Sequence, residues 1–189
     1  MGRHVISALV QNEPGVLANV AGMFAARGFN IDSLVVGRTE NPDLSRMTIV
    51  VNADENTLEQ VRKQLAKLVP VVKVKDFAGS AYLERDLALI TVGAGADKRG
   101  DVIEVVNLFR GKVVDVAPES LTVELAGPED KIEAFVELMK PYTIQELART
   151  GVIAMQRGMQ LGGEEVVDAA SGKRTRSLNA PAAQALPPS

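Results

Sequence analysis

One order of apolar periodicities occurs twice in this chain, and that repeat constrains the fold more than any other feature. His4–Gln11 is rich in Val, Ile and Leu and short enough for a buried strand. Pro14-Gly15 opens a helical stretch with Val16, Val20 and Phe24 on one face. Gly28 stands where a left-handed cap residue is expected. Ile31–Thr39 and Met47–Asn52 read as strands joined by a turn at Asn41-Pro42-Asp43. Leu58–Leu68 predicts a second helix, its apolar face Leu58, Val61, Leu65 and Leu68 and its cap Asn56 or Thr57. Val71–Val74 closes the order βαββαβ.

After a connector at Ala78–Arg85 the order returns. Leu87–Val92 is a strand, Val102–Phe109 a helix, and Lys112–Val116 and Leu121–Leu125 are strands. Ile132, Phe135, Val136 and Met139 line a further helix that Pro141 ends, and Thr143–Leu147 is the last strand. The halves share pattern rather than residue identity. The fold class expected is therefore α+β, with two split βαβ, or ferredoxin-like, units at residues 1–77 and 78–158. From Met159 the periodicity stops, and the Gly-, Ser-, Ala- and Pro-rich segment 159–189 is expected to be disordered.

Right-handed crossovers would put both helices of each unit on one sheet face. The other face and the outer edges then need a cover. Ile31, Leu34, Val35 and Val36 give the second strand more apolar surface than an exposed edge should carry. Dimerisation or the second unit should cover it, and a ligand could sit in such an interface.

Composition removes several classes of function. With no Cys and a single His, thiolate and multi-His metal sites are excluded, and so is a Cys nucleophile. His4 lies in a strand with no acid partner close in sequence and reads as structural. The scattered carboxylates fall mostly at caps and turns, and Gly93-Ala94-Gly95-Ala96 lacks the spacing and Lys of a phosphate loop. No catalytic residue and no metal site is expected. A net charge of −3 and 4% aromatics oppose nucleic-acid binding, and the segments matching base-stacking strands contain no aromatic. No apolar run approaches membrane-helix length, nothing resembles a signal peptide, and the cytoplasm is the expected location.

The loop Gln11-Asn12-Glu13-Pro14-Gly15-Val16-Leu17 is the most informative segment. It leads from a strand into a helix N-terminus, where free backbone N–H groups and the dipole favour an anion. Gly15 lets a ligand approach the backbone, and Asn12 can both donate and accept, which suits a zwitterion. Asn30 precedes the second strand and is expected close to this loop. A plainer reading stays open, with Asn12 as a helix cap, Gly15 as a packing glycine and Asn30 as a turn residue.

Asn12-Glu13-Pro14-Gly15-Val16-Leu17, Arg27-Gly28-Phe29-Asn30-Ile31-Asp32-Ser33-Leu34 and Leu44-Ser45-Arg46-Met47-Thr48-Ile49-Val50-Val51 resemble the small, regulatory subunit of acetolactate (acetohydroxyacid) synthase. So do Gln64-Leu65-Ala66-Lys67-Leu68, Glu84-Arg85-Asp86-Leu87-Ala88-Leu89-Ile90, Phe109-Arg110-Gly111 and Glu146-Leu147-Ala148-Arg149-Thr150-Gly151-Val152. The similarity runs in order from about Arg3 to Gly158.

The resemblance implies an N-terminal amino-acid-binding ACT domain and a family-specific C-terminal domain. It implies a homodimer paired through the ACT domains, with valine or another branched-chain amino acid bound at the interface as feedback inhibitor. Asn12, Gly15 and Asn30 match the family's effector positions, and backbone amides of Val16, Leu17 and Ile31 would complete the pocket. It also implies a separate catalytic subunit carrying thiamine diphosphate, Mg²⁺ and FAD, this chain holding no cofactor. An ACT-type sensor serving another biosynthetic enzyme is the alternative.

Overall fold

A computed structural model describes residues 2–158, together with 165–167 and 174–176. The first unit runs β1 (Gly2–Gln11), α1 (Val16–Ala25), β2 (Ser33–Arg38), β3 (Leu44–Ala53), α2 (Glu55–Leu65) and β4 (Val71–Asp76). Its antiparallel sheet has the order β2-β3-β1-β4, with α1 packed beside α2. Alternate residues Ile6, Ala8 and Val10 of β1 and Met47, Ile49 and Val51 of β3 face the helices, where Val20, Phe24, Leu58 and Leu65 close the core. The two-fold period places these residues on one face, but the central strands are buried on both. Val5, Ser7, Thr48 and Val50 point the other way and are also buried, which explains why β1 reads as a continuous apolar run.

The second unit comprises β5 (Tyr82–Gly93), α3 (Arg99–Leu108), β6 (Lys112–Val116), β7 (Ser120–Gly127), α4 (Glu129–Met139) and β8 (Ile144–Arg149). Its sheet has the same antiparallel plan, β6-β7-β5-β8. Ile90, Leu121, Leu125, Ile132, Phe135 and Met139 form its core. The two expected ferredoxin-like units are both present.

Several local expectations need correction. Asp54, not Asn56 or Thr57, caps α2: its carboxylate accepts the Thr57 N–H at 2.7 Å. That bond is the main cause holding the Asp54 carboxyl below its ordinary range. Pro141 does end α4 as expected: the helix stops at Met139 and the proline stands in the 3₁₀ turn Lys140–Tyr142 that follows. The second half of the supposed connector Ala78–Arg85 is strand. β5 starts at Tyr82, and its first four residues, Tyr82–Arg85, pair with a strand that periodicity did not predict, β9 (Ile153–Gln156).

That hairpin answers the question of the uncovered face. Phe77, Val152 and Ala154 pack on Val5 and Val50, with Tyr82 beside them. Thus the chain's own linker and β9 cover much of the helix-free face of the first sheet. Ion pairs reinforce the junction. Arg3 of β1 reaches Glu84 at 3.1 Å and Glu129 at 2.7 Å. Burial alone would lower the pKa of Arg3, but the two carboxylates outweigh it and the net direction is upward. Of the segment expected to be disordered, β10 (Glu165–Val167) and β11 (Arg174–Arg176) pair antiparallel; its other residues lie outside those described. Among the described residues, no helix is long and apolar enough to cross a membrane.

Candidate effector site

The β1–α1 loop forms the first half of the site. Gly15 is the residue before α1, with a left-handed backbone (φ +84°), and no atom lies within 4 Å of where a Cβ would stand. Its requirement is conformational, and the space around it is open. No side chain caps α1, and its first turn holds no acid. No side chain of the helix's own first turn therefore places an anion at its dipole. The Val16 side chain is buried in the core, so only its backbone faces the loop, while Leu17 is about half exposed (48%).

Asn12 does not cap the helix. Its Nδ2 donates to the Pro42 carbonyl at 2.9 Å, its Oδ1 accepts from the Ser45 hydroxyl at 3.1 Å, and its backbone N–H donates to the Asp43 carbonyl at 2.8 Å. Both ends of the amide are engaged, so Asn12 holds the β2–β3 turn against the β1–α1 loop.

The second half lies elsewhere. Asn30 Nδ2 donates to Asp32 Oδ1 at 3.0 Å, while Asn52 Nδ2 donates to Asp32 Oδ2 at 2.6 Å. The Asp32 N–H bonds to the Val50 carbonyl at 2.9 Å, and Ile31 packs against the core. Val50 pairs with Val5, near the start of β1, whereas Gln11 and the Gly15 loop lie at its end. Six residues of strand separate the two ends, about 20 Å at the usual rise. The expectation that Asn30 sits beside the Gly15 loop of its own chain is therefore corrected. The crossover returns the chain to the end of the sheet where β1 began.

The halves differ in polarity. The α1 terminus offers backbone donors, while the Asn30–Asp32 end offers acceptors and a carboxylate held by two amides. One suits the carboxylate of an amino acid and the other its ammonium. Sequence reasoning missed Asp32 and Asn52; the only signal was a polar pair at alternate positions ahead of β2. His4 Nε2 lies 3.2 Å from the Ala53 carbonyl, across the β1–β3 ladder. Among the described residues, no group of three or more His, Asp or Glu side chains could hold a metal ion.

Comparison with known proteins matches residues 6–73 to the acetohydroxyacid synthase small-subunit-like ACT domain and residues 85–158 to the small subunit of acetolactate synthase. A probable acetolactate synthase small subunit of Archaeoglobus fulgidus is 54% identical over 156 residues, covering 82% of this chain and 98% of that protein. The acetolactate synthase small subunit of Mycolicibacterium smegmatis is 52% identical over 155 residues, 82% of this chain and 91% of its own. The crystal structure of the acetolactate synthase small subunit from Thermotoga maritima superposes with a TM-score of 0.77 at 45% identity, covering 83% of this chain and 98% of that one.

Proposed function

The chain belongs to the family of acetolactate synthase small subunits, and from that premise we propose that it senses a branched-chain amino acid for a separate catalytic subunit. Without effector it raises that subunit's activity; valine, held between two copies of this chain, withdraws the support. Thiamine diphosphate, Mg²⁺ and FAD are carried by the catalytic partner, and the assembly works in the cytoplasm.

The observation that carries this reading is the split of the candidate pocket over two ends of one sheet. Among the described residues β2 pairs on one side only, and Val36 on it is 42% exposed. Pairing β2 antiparallel with β2 of a second copy, about a two-fold axis, sets the Ser33 end of one against the Arg38 end of the other. The Asn30–Asp32 end of one copy then approaches the Asn12–Gly15 end of its mate. Donors and acceptors that one chain keeps apart converge, with a polarity that fits a zwitterion.

Mixing two defective variants tests this directly. Gly15→Asp and Asn30→His each damage both pockets of their own homodimer. In a mixed dimer, one pocket carries both changes and the other carries neither. Random mixing should therefore restore valine binding to about a quarter of the sites. A pocket built within one chain would regain nothing on mixing, and that result would reject the composite site.

A further inference from the structure

Two motifs that the effector pocket leaves unused, Glu84-Arg85-Asp86-Leu87 and Arg149-Thr150-Gly151-Val152, meet at the junction of the units. Asp86 of β5 is buried (1% exposed). Its Oδ2 accepts from Arg149 Nε at 2.8 Å and Nη2 at 2.5 Å. Its Oδ1 accepts from the Thr150 hydroxyl at 3.2 Å and the Gly151 N–H at 3.1 Å. Arg149 also donates to Glu133 of α4. One carboxylate thus fixes the whole turn after β8 and, through Arg149, ties it to α4.

The other side of that turn rests on the first unit. The Val152 N–H donates to Ser33 Oγ at 3.3 Å. Gly151 has φ +84°, and a Cβ there would lie 2.6 Å from Ser33 Oγ and 2.9 Å from Val35 Cγ2. Only a glycine lets the turn come this close. Val152 and Ala154 then pack on Val5 and Val50. Ser33 opens β2, one residue after Asp32. The contacts are therefore continuous from the Asn30–Asp32 half-site, through Ser33, Gly151 and Asp86, to Arg149 and α4.

We propose that the Arg149–Val152 turn is the coupling element by which edge strand β2 passes its state to the second unit. The inference rests on the effector reading above. Because the turn is fixed by a buried carboxylate on one side and seated on β2 on the other, a shift of β2 must move the turn or break its bond to Ser33.

Hydrogen exchange of the full chain, with and without valine, tests the proposal, alongside calorimetric titration of the same samples. In the unaltered chain, valine should change protection around residues 12–24 and 30–38 and also at residues 129–156. Ser33→Ala removes the acceptor while keeping β2. It should retain valine affinity within about threefold, as a residue outside the pocket should, and lose most of the change at residues 129–156. Asp86→Asn, a stronger perturbation of the turn, should do the same. Protection changes confined to residues 2–76 in the unaltered chain would overturn the coupling and leave the effector reading intact. An unaltered chain that neither binds valine nor changes its exchange would overturn the effector reading and the coupling with it. Full remote change in both the Ser33→Ala and the Asp86→Asn chains would show that the signal does not pass through this turn.

Discussion

Gly15 can become Asp without loss of the fold, because Asp tolerates the left-handed backbone and its position opens onto free space. The new carboxylate would stand where the effector carboxylate belongs. We expect valine affinity to fall at least about fivefold, on the scale of 1–3 kcal/mol for an unsatisfied buried polar group. Asn30→His, which replaces the amide that Asp32 orients, should weaken binding to a similar extent. Titration calorimetry with circular dichroism on the same samples checks both; unaltered valine affinity would remove these residues from the site. Arg149→Ala makes a different prediction. Burial alone would lower the pKa of Arg149, but the hydrogen bonds of Asp86 and Glu133 raise it, so the cation is held in its charged form. Its removal leaves the Asp86 carboxylate buried with only Thr150 and Gly151 as partners. A loss of about 3 kcal/mol is expected, the low end for breaking a buried pair, and urea unfolding at neutral pH measures it. A loss below about 1 kcal/mol would mark the pair as no stronger than a surface contact.

At the level of elements, the twofold βαββαβ order was legible because each half buries one face of each helix and the central strands of its sheet. What escaped was set by contacts distant in sequence. β9 is four residues long, and its apolar period is too short to register; it exists because it pairs with the start of β5 and packs on Val5 and Val50. The placement of Asn30 was missed because a local reading of the loop ignores which end of the sheet the crossover reaches. The cap of α2 lies two or three residues before the expected Asn56 or Thr57, among several candidate capping side chains, and only the Thr57 bond singles out Asp54. Two predictions belong here. Phe77 is 3% exposed between the first sheet and β9, stacked 4.9 Å from the Tyr82 ring. Phe77→Ala should cost about 3–4 kcal/mol, whereas Leu83→Ala, 40% exposed on the same hairpin, should cost less than about 1 kcal/mol. Equal melting temperatures for the two variants would show that Phe77 does not hold the junction. For α2, the folded pKa of Asp54 is lowered, so its contribution is complete above the unfolded value and is lost as pH falls through the lowered one. Asn also caps a helix but does not titrate in this range. The stability of Asp54→Asn relative to the unaltered chain should therefore improve as pH drops from about 6 to about 3, followed by thermal melts across that range.

For the whole molecule, the proposed function asks how this chain would change the rate of a reaction run by a separate catalytic subunit. Coupling requires that the two states of the small-subunit dimer differ in their affinity for the catalytic subunit. In the proposed dimer the first unit would supply the place where two copies and an amino acid meet. The second is joined to it by a buried apolar cluster, by Arg3 and by the turn on Ser33. A pocket between two β2 edges would favour one arrangement of the proposed dimer, and the packed, hydrogen-bonded junction would carry that preference to surfaces far from the ligand. If valine weakens the hold on the catalytic subunit, linkage fixes the reverse effect: the catalytic subunit must weaken valine binding by the same factor. Coupling free energies of about 1–3 kcal/mol correspond to a roughly five- to 150-fold change. The measurement is a valine titration of the chain alone and of the chain saturated with its catalytic subunit, beside the subunit affinity with and without valine. The two ratios should agree. The rate of acetolactate formation should rise when this chain is added and fall again when valine is added. Should the catalytic subunit's rate respond to neither addition, the regulatory mechanism proposed here is wrong. If the rate responds but the two affinity ratios differ, the catalytic subunit must carry a valine site of its own.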